Sequence, residues 1–314
     1  MSLEVKDIVK KYGEKTVVNH LSFLMEKPGV YALLGRNGAG KTTTIRIILG
    51  MLSKDNGEVL WDQKPLDVME TNIGYLAEER GLYPKYTLMD QLLYFARLKK
   101  VSKSDAQKRI KYWAERLEVE EYIYPAATGK KKPTSMAADQ LSKGNQQKIQ
   151  LMAALISDPE IIILDEPLSG LDPVNADLFK TIIREEIEKE KYLIMSSHQM
   201  ATIEEFCTDI TILNRGDAVV SGNLNEIKKS YGRVNMHVRC EEEIEEVVGH
   251  FTFKEVSRNA SEYEIKVQSE EQAMQFLKEL VDRKKNIIWF ELREPSLHEI
   301  FVEKVGGTNG TNEN

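Results

Sequence analysis

Gly35, Gly40, Lys41 and Thr42 fall on the spacing G-x-x-x-x-G-K-[ST], with Asn37 and Gly38 inside the loop and Thr43 directly after it. Glycines so spaced let the backbone curl around a phosphate with successive N–H groups pointing inward, and a following helix adds the positive end of its dipole. Lys41 is then placed to reach β- and γ-phosphates as a point charge, and the Thr42 hydroxyl to coordinate Mg²⁺. Residue frequencies alone would produce such a glycine turn about once per hundred chains of this length. A dinucleotide-binding turn fits less well, because it needs G-x-G-x-x-G and the glycines here run G-x-x-G-x-G.

A second constellation narrows the chemistry. The apolar run 161–164 ends in Asp165, Glu166 and Pro167. Adjacent carboxylates at a strand end point in different directions, so Asp165 can hold Mg²⁺, directly or through water, while Glu166 polarises the water that attacks the γ-phosphate. An isolated Asp-Glu pair is ordinarily an acidic turn; behind a phosphate loop, the hydrolytic reading is favoured. A third turn, Leu141, Ser142, Lys143, Gly144 and Asn145, precedes a helix-spaced set at Ile149, Met152, Ala153 and Ile156. Ser142 and the free N–H groups near Gly144 form another phosphate-sized nest, yet one nucleotide already has its first loop. The simplest geometry sandwiches the nucleotide between two subunits, although a serine in this position is more often only a helix N-cap.

These residues need a scaffold that brings strand ends together. Residues 30–34 are a short apolar run that stops at Gly35, as in a strand buried on both faces, and Ile45, Ile48, Leu49 and Leu52 then follow helical spacing. Residues 3–9 and 16–25 read as an antiparallel hairpin turning at Tyr12 and Gly13. Helices are expected near 87–99 and 103–117, after which strand-helix alternation resumes with strands at 161–164, 192–196, 209–213 and 218–221. The pattern predicts an α/β fold interrupted by a helical insertion. The stretch 122–140, with Pro125, Gly129, Pro133 and three consecutive lysines at 130–132, reads as an exposed loop, and the Gly/Asn/Thr-rich tail 306–314 as disordered.

Composition sets the limits. The 314 residues suffice for about two domains, and 41% hydrophobic with 30% charged residues is a globular balance. No apolar run approaches the roughly 18 residues of a membrane span, and the acidic residues near the start give no reason to expect a secretory leader. Two cysteines, Cys207 and Cys240, make no metal cluster and fit a reducing compartment. The net charge of −7 is concentrated beyond residue 230, where eleven Lys and Arg face seventeen Asp and Glu. That shift puts a domain boundary near Tyr231, and the acidic balance argues against nucleic-acid backbone binding.

In order and spacing, residues 35–42, 141–147, 164–167, 169–172 and His198 resemble the ATP-binding cassette of ABC transporters, over roughly residues 1–230. The resemblance implies ATP and Mg²⁺ as ligands, a head-to-tail dimer with a second, identical or different, cassette, and a cassette with an antiparallel β subdomain and a helical subdomain at about 85–158. It assigns Tyr12 to adenine stacking, Ser142 and Gly144 to phosphate contact in trans, Asp172 to the interface loop and His198 to γ-phosphate contact. Two positions depart from the family pattern. L-S-G-G-Q appears with Lys143 and Asn145 at its third and fifth places, and the glutamine expected after the strand at 73–76 is Glu78, which can hold Mg²⁺ but cannot donate a hydrogen bond.

The segment 78–83 together with the Leu-Ser-Lys-Gly turn resembles single-cassette subunits that pair with a separately encoded exporter permease, a branch that includes sodium and drug exporters. An ATPase at the cytoplasmic face of the membrane is therefore expected, with Leu82 and Tyr83 as candidates for force transfer. Residues 231–314, with a strand near 263–267 and an amphipathic helix near 271–283, resemble the small α+β accessory domain of such exporters, expected in regulation or dimer contacts. The alternative is a soluble ABC-type ATPase acting on nucleic acid or ribosomes. Chromosome-type relatives would place a long coiled coil between Lys41 and Ser142, only 101 residues apart here, and ribosome-acting relatives usually carry two cassettes. A GTPase is weaker still, since the stretch 214–217 only loosely resembles a guanine-reading motif.

Overall fold

The computed structural model describes residues 1–78, 81–126, 134–259 and 262–306. The three lysines at 130–132 and the tail beyond Gly306 lie outside the described residues; Gly306 itself, grouped with that tail from composition, closes the last helix. Backbone contacts divide the chain into two compact units, residues 1–221 and 222–314.

The first unit is organised on a ten-stranded sheet: β1 (Leu3–Tyr12), β2 (Lys15–Met25), β3 (Gly29–Gly35), β4 (Asn56–Trp61), β5 (Lys64–Pro65), β6 (Ile73–Leu76), β7 (Ile161–Asp165), β8 (Tyr192–Ser197), β9 (Asp209–Asn214) and β10 (Asp217–Asn223). Their spatial order is β5-β4-β1-β2-β10-β9-β3-β8-β7-β6. The first four of that order form an antiparallel ribbon, in which β1 pairs with β2 and β4. Tyr12 belongs to β1, opposite Lys15, so the hairpin turns one residue later than the sequence suggested. The strands from β9 to β6 are parallel, and a single parallel bridge, Asp217 to Asn19, joins ribbon to core.

Strand β3 reads Val30, Tyr31, Ala32, Leu33 and Leu34, all buried, because parallel strands covered on both faces cannot alternate with polar residues. The same holds for β7 and β8. Leu33, Ile45, Ile48, Ile161, Ile163 and Ile194 meet in one apolar cluster that fixes helix α1 (Lys41–Ile48) against the sheet.

Adjacent strands β6 and β7 pair in register from Ile73 with Ile161 to Leu76 with Leu164. Everything between them is therefore an excursion, and it carries α2 (Leu88–Leu98), α3 (Lys103–Arg116), α4 (Glu120–Ile123) and α5 (Lys143–Leu155). Thr87 and Ser102 cap α2 and α3 by accepting from the Asp90 and Asp105 amides. Helix α5 returns the chain tightly against β6: a Cβ on Gly74 would lie 2.3 Å from the Ala154 carbonyl oxygen, so only glycine fits there. Helices α6 (Pro173–Glu188) and α7 (Met200–Glu204) connect β7, β8 and β9.

The second unit holds α8 (Leu224–Tyr231), β11 (Asn235–Cys240), α9 (Glu245–Gly249), β12 (Glu255–Asn259), β13 (Glu262–Lys266), α10 (Glu270–Asp282), β14 (Ile287–Arg293) and α11 (Leu297–Gly306). Its antiparallel sheet runs β12-β13-β11-β14. Met236, Val238, Tyr263, Ile265, Phe276 and Leu280 form its core, with α10 presenting its apolar face to the sheet. Helix α8 precedes the acidic stretch, and Lys304 of α11 sits over the ring of Tyr231 at its end.

Candidate nucleotide-binding site

Three neighbouring parallel strands deliver their C-terminal ends to one edge of the sheet, the edge at which open α/β folds place ligands. Strand β3 ends in the glycine loop, β7 in Asp165 and Glu166, and β8 in Ser196, Ser197 and His198. Register makes the juxtaposition: Leu34 lies opposite Ser197 and Asp165 opposite Ser196. A cleft of about 200 Å³ opens there, lined by Asn37, Gly38, Gly40, Lys41, Thr42, Thr43, Glu78 and Glu166 among others.

The loop keeps its shape through backbone conformations that side chains resist. Gly40, the residue before α1, has φ 112°, and a Cβ there would lie 2.7 Å from the Val17 carbonyl oxygen. Lys41 is buried, donates to the Gly35 carbonyl at 2.8 Å, and lies 3.3 Å from Glu166 Oε1. Its ammonium is thus held inside the curl of the loop.

Glu166 is buried and adopts φ 50°, a left-handed conformation that costs a non-glycine residue of order 1–3 kcal/mol and clusters at functional sites. Its Oε2 lies 2.8 Å from His198 Nδ1. Against an ionised carboxylate, which only accepts, Nδ1 carries the hydrogen, and Nε2 takes no part in this pairing. Oε1 has no hydrogen-bond partner beyond its ionic contact with Lys41.

Asp165 is fully buried. Its Oδ1 accepts from Ser196 Oγ at 2.5 Å and from Thr42 Oγ1 at 3.4 Å, while Oδ2 has no partner. Burial raises its carboxyl above the ordinary range, against the opposing effect of the two hydroxyls. Burial, with help from Asp165, likewise pushes the nearby Tyr75 phenol up to about 12. A bare, buried carboxylate oxygen beside a threonine hydroxyl is the hard-oxygen set that suits Mg²⁺, which keeps waters and substrate phosphates as its other ligands. Among the described residues no cluster of three or more His, Cys, Asp or Glu forms a metal cage by itself.

The remaining sequence-derived candidates lie elsewhere. Tyr12 is about half exposed at the end of β1, with Lys10 Nζ 5.6 Å from its ring centroid. Ser142 and Gly144 do not line the cleft. Ser142 caps α5, accepting from the Asn145 amide at 3.3 Å, and Asp172 caps α6 in the same way through Asn175. One chain therefore assembles Lys41, Thr42, Asp165, Glu166, His198 and Glu78 and leaves the serine turn outward. Sequence reasoning gave no role to Ser196 or to Gln147, which donates to the Pro167 carbonyl at 2.7 Å just beyond Glu166. The available signal was a polar residue at a buried position of an otherwise apolar element.

Comparison with known proteins gives two family matches: the ABC transporter family over residues 18–169, and the ATP-binding protein DrrA1-3-like C-terminal domain over residues 222–305. The chain is 40% identical over 305 residues, 97% of its length and 98% of the relative's, to the uncharacterized ABC transporter ATP-binding protein YhaQ of Bacillus subtilis. It is 27% identical, across 98% of its length and 99% of the relative's, to the linearmycin resistance ATP-binding protein LnrL of the same organism. A solved structure described as the ATP binding subunit of an ABC transporter matches with a TM-score of 0.65 and 27% identity, covering 74% of this chain and 94% of that one. Tyr12 and His198 fall outside the first family match.

Proposed function

The chain belongs to the ABC transporter ATP-binding proteins, a family that hydrolyses ATP, and from that premise we propose that it powers export through separate transmembrane permease subunits. The observation that carries the assignment is the contact chain in which buried Lys41 and Glu166 meet and exposed His198 joins them at the mouth of the glycine loop. The γ-phosphate of ATP offers Lys41 a stronger partner than Glu166, so binding frees one Glu166 oxygen to take the proton of the attacking water. His198, exposed beside Glu166, contacts the γ-phosphate through Nε2 in this reading. Bound Mg²⁺, held by Thr42 and Asp165 with Glu78 beside it, would neutralise charge on the β- and γ-oxygens. Tyr12 supplies a ring face for adenine.

The outward Ser142–Gly144 turn belongs, in this reading, to the nucleotide of a second cassette, so closure of the dimer around ATP is the power stroke. Among the described residues no helix is long and apolar enough to cross a membrane, which accords with a peripheral subunit at the cytoplasmic face whose partner supplies the channel. Exposed Tyr83, Tyr86 and Tyr94 line a surface hollow on the helical excursion, a contact face of the kind such a partner needs. Relatives named for linearmycin resistance and probable multidrug transport favour drug-like cargo.

Glu166→Gln tests this directly. It should keep ATP binding, slow turnover by about 10²- to 10⁴-fold, and accumulate an ATP-bound dimer visible by gel filtration. Near-normal turnover would remove Glu166 from its role, and a variant that stays monomeric with ATP would remove the dimer. Affinity capture with the full chain from detergent-solubilised membranes should recover a polytopic membrane protein.

A further inference from the structure

We propose that Ser196 is a positioning residue for hydrolysis, setting the two carboxylates of the site with a single hydroxyl; this rests on the reading of Asp165 and Glu166 given above. Ser196 is completely buried at the end of β8, two residues before His198. Its Oγ donates to Asp165 Oδ1 at 2.5 Å and accepts from the Glu166 amide at 3.0 Å. Its backbone carbonyl accepts from the same amide at 3.2 Å. One residue thus holds the side chain of the first carboxylate and the backbone of the second.

Both contacts have consequences for chemistry. Glu166 sits at φ 50°, which a non-glycine residue adopts only when its surroundings over-determine it. Among the described residues, the partners of its amide are both atoms of Ser196. Releasing the hydroxyl lets the peptide relax and swings the Glu166 carboxylate away from Lys41 and His198, the two groups that aim it. At Asp165, the Ser196 hydroxyl and Thr42 both engage Oδ1, so Oδ2 stays bare and is the oxygen left for a cation. A carboxylate free to rotate would present either oxygen. The β8 residues before it, Leu193, Ile194 and Met195, are apolar and buried, so a hydroxyl here departs from the strand's own pattern.

Ser196 touches neither substrate nor reacting atoms in this account; it acts through Glu166 and Asp165. Its loss should therefore appear in turnover more than in nucleotide affinity. In the full chain, Ser196→Ala is expected to lower kcat by roughly tenfold or more, with the KM for ATP and the equilibrium affinity for ATP within about twofold of wild type. Ser196→Thr, which restores the hydroxyl, should recover most of the rate. Combined with Glu166→Gln, Ser196→Ala should lose less than the product of the two single effects, because one of the two groups it positions is already disabled.

A kcat within twofold of wild type in Ser196→Ala would overturn the proposal. So would a full multiplicative loss in the Glu166→Gln background, which would mark a general packing defect. If Ser196→Ala does not fold, Ser196→Cys keeps the volume with a weaker donor; it should show intermediate kcat at unchanged ATP affinity, and wild-type kcat there overturns the proposal equally. Glu166→Gln alone separates the two levels. If it retains turnover the reading of the site fails; if it loses turnover while Ser196→Ala does not, only the role of Ser196 fails.

Discussion

The buried contact between Lys41 and Glu166 makes a prediction about stability before any nucleotide is added. The two charges lie 3.3 Å apart with both side chains almost fully buried. At an effective dielectric constant of about 20, unit charges at that distance attract with a gross energy of about 5 kcal/mol. Desolvation offsets much of this, but removing one member of a buried pair strands the other, at a cost of about 3–5 kcal/mol. His198 remains within 2.8 Å of the second Glu166 oxygen, which places the expected loss for Lys41→Met near the bottom of that range. Glu166→Gln should cost less, because the Gly35 carbonyl still holds the lysine.

The double variant should therefore be more stable than the sum of the singles implies, with a coupling of about 2 kcal/mol. Urea unfolding in a Trp289→Phe background isolates the first unit, whose fluorescence then comes from Trp61 and Trp113; Trp289 is half exposed, so its replacement is mild. A coupling below about 0.5 kcal/mol would refute the idea that the lysine and glutamate satisfy each other in the nucleotide-free chain. It would also remove the exchange of partners on which the proposed activation depends.

The two inner glycines of the loop should respond differently to alanine. Gly40→Ala meets the Val17 carbonyl at 2.7 Å and should abolish ATP binding by calorimetry, whereas Gly38→Ala, at φ 79° with open space around it, should cost only about 1–2 kcal/mol of backbone strain and retain measurable affinity. Ser142→Ala should leave ATP affinity of the isolated chain nearly unchanged while ATP-driven dimerisation and turnover fall together; loss of affinity in the monomer would place Ser142 in the chain's own site. Burial pushes the Cys207 thiol up to about 12, so at pH 8 it is protonated in the native protein. Iodoacetamide should leave it unmodified until the chain is unfolded in urea, and rapid native labelling would contradict its buried placement.

Local information was enough for much of the site. The glycine spacing of residues 35–42, the carboxylates ending an apolar run and the serine before a helix each depend on neighbours close in the chain, and each motif names its own strand end or helix start. Hydrophobic periodicity likewise located α2, α3 and α10 to within a residue or two, because a face buried every three to four residues leaves its mark in composition. Strands β4 and β5 were not legible, nor were β11, β12 and β14. Edge and half-exposed strands lack the unbroken apolar run that betrays β3 and β7, and β4, β11 and β14 pair with strands far away in sequence.

What the sequence determined by itself was the kind of chemistry: a loop that only glycines can curl, a cation and a hydroxyl at its end, and two acids on a buried strand. What only the tertiary structure decided was who meets whom. Asp165 and Ser196 are 31 residues apart and become partners through the register of two parallel strands. Lys41 and Glu166 neutralise each other across the cleft, and Ser142 is left facing out of its own chain's site. Hydrogen bonds and ion pairs depend on distances of a few ångströms, and strand order and register set those distances. No spacing along the chain encodes them.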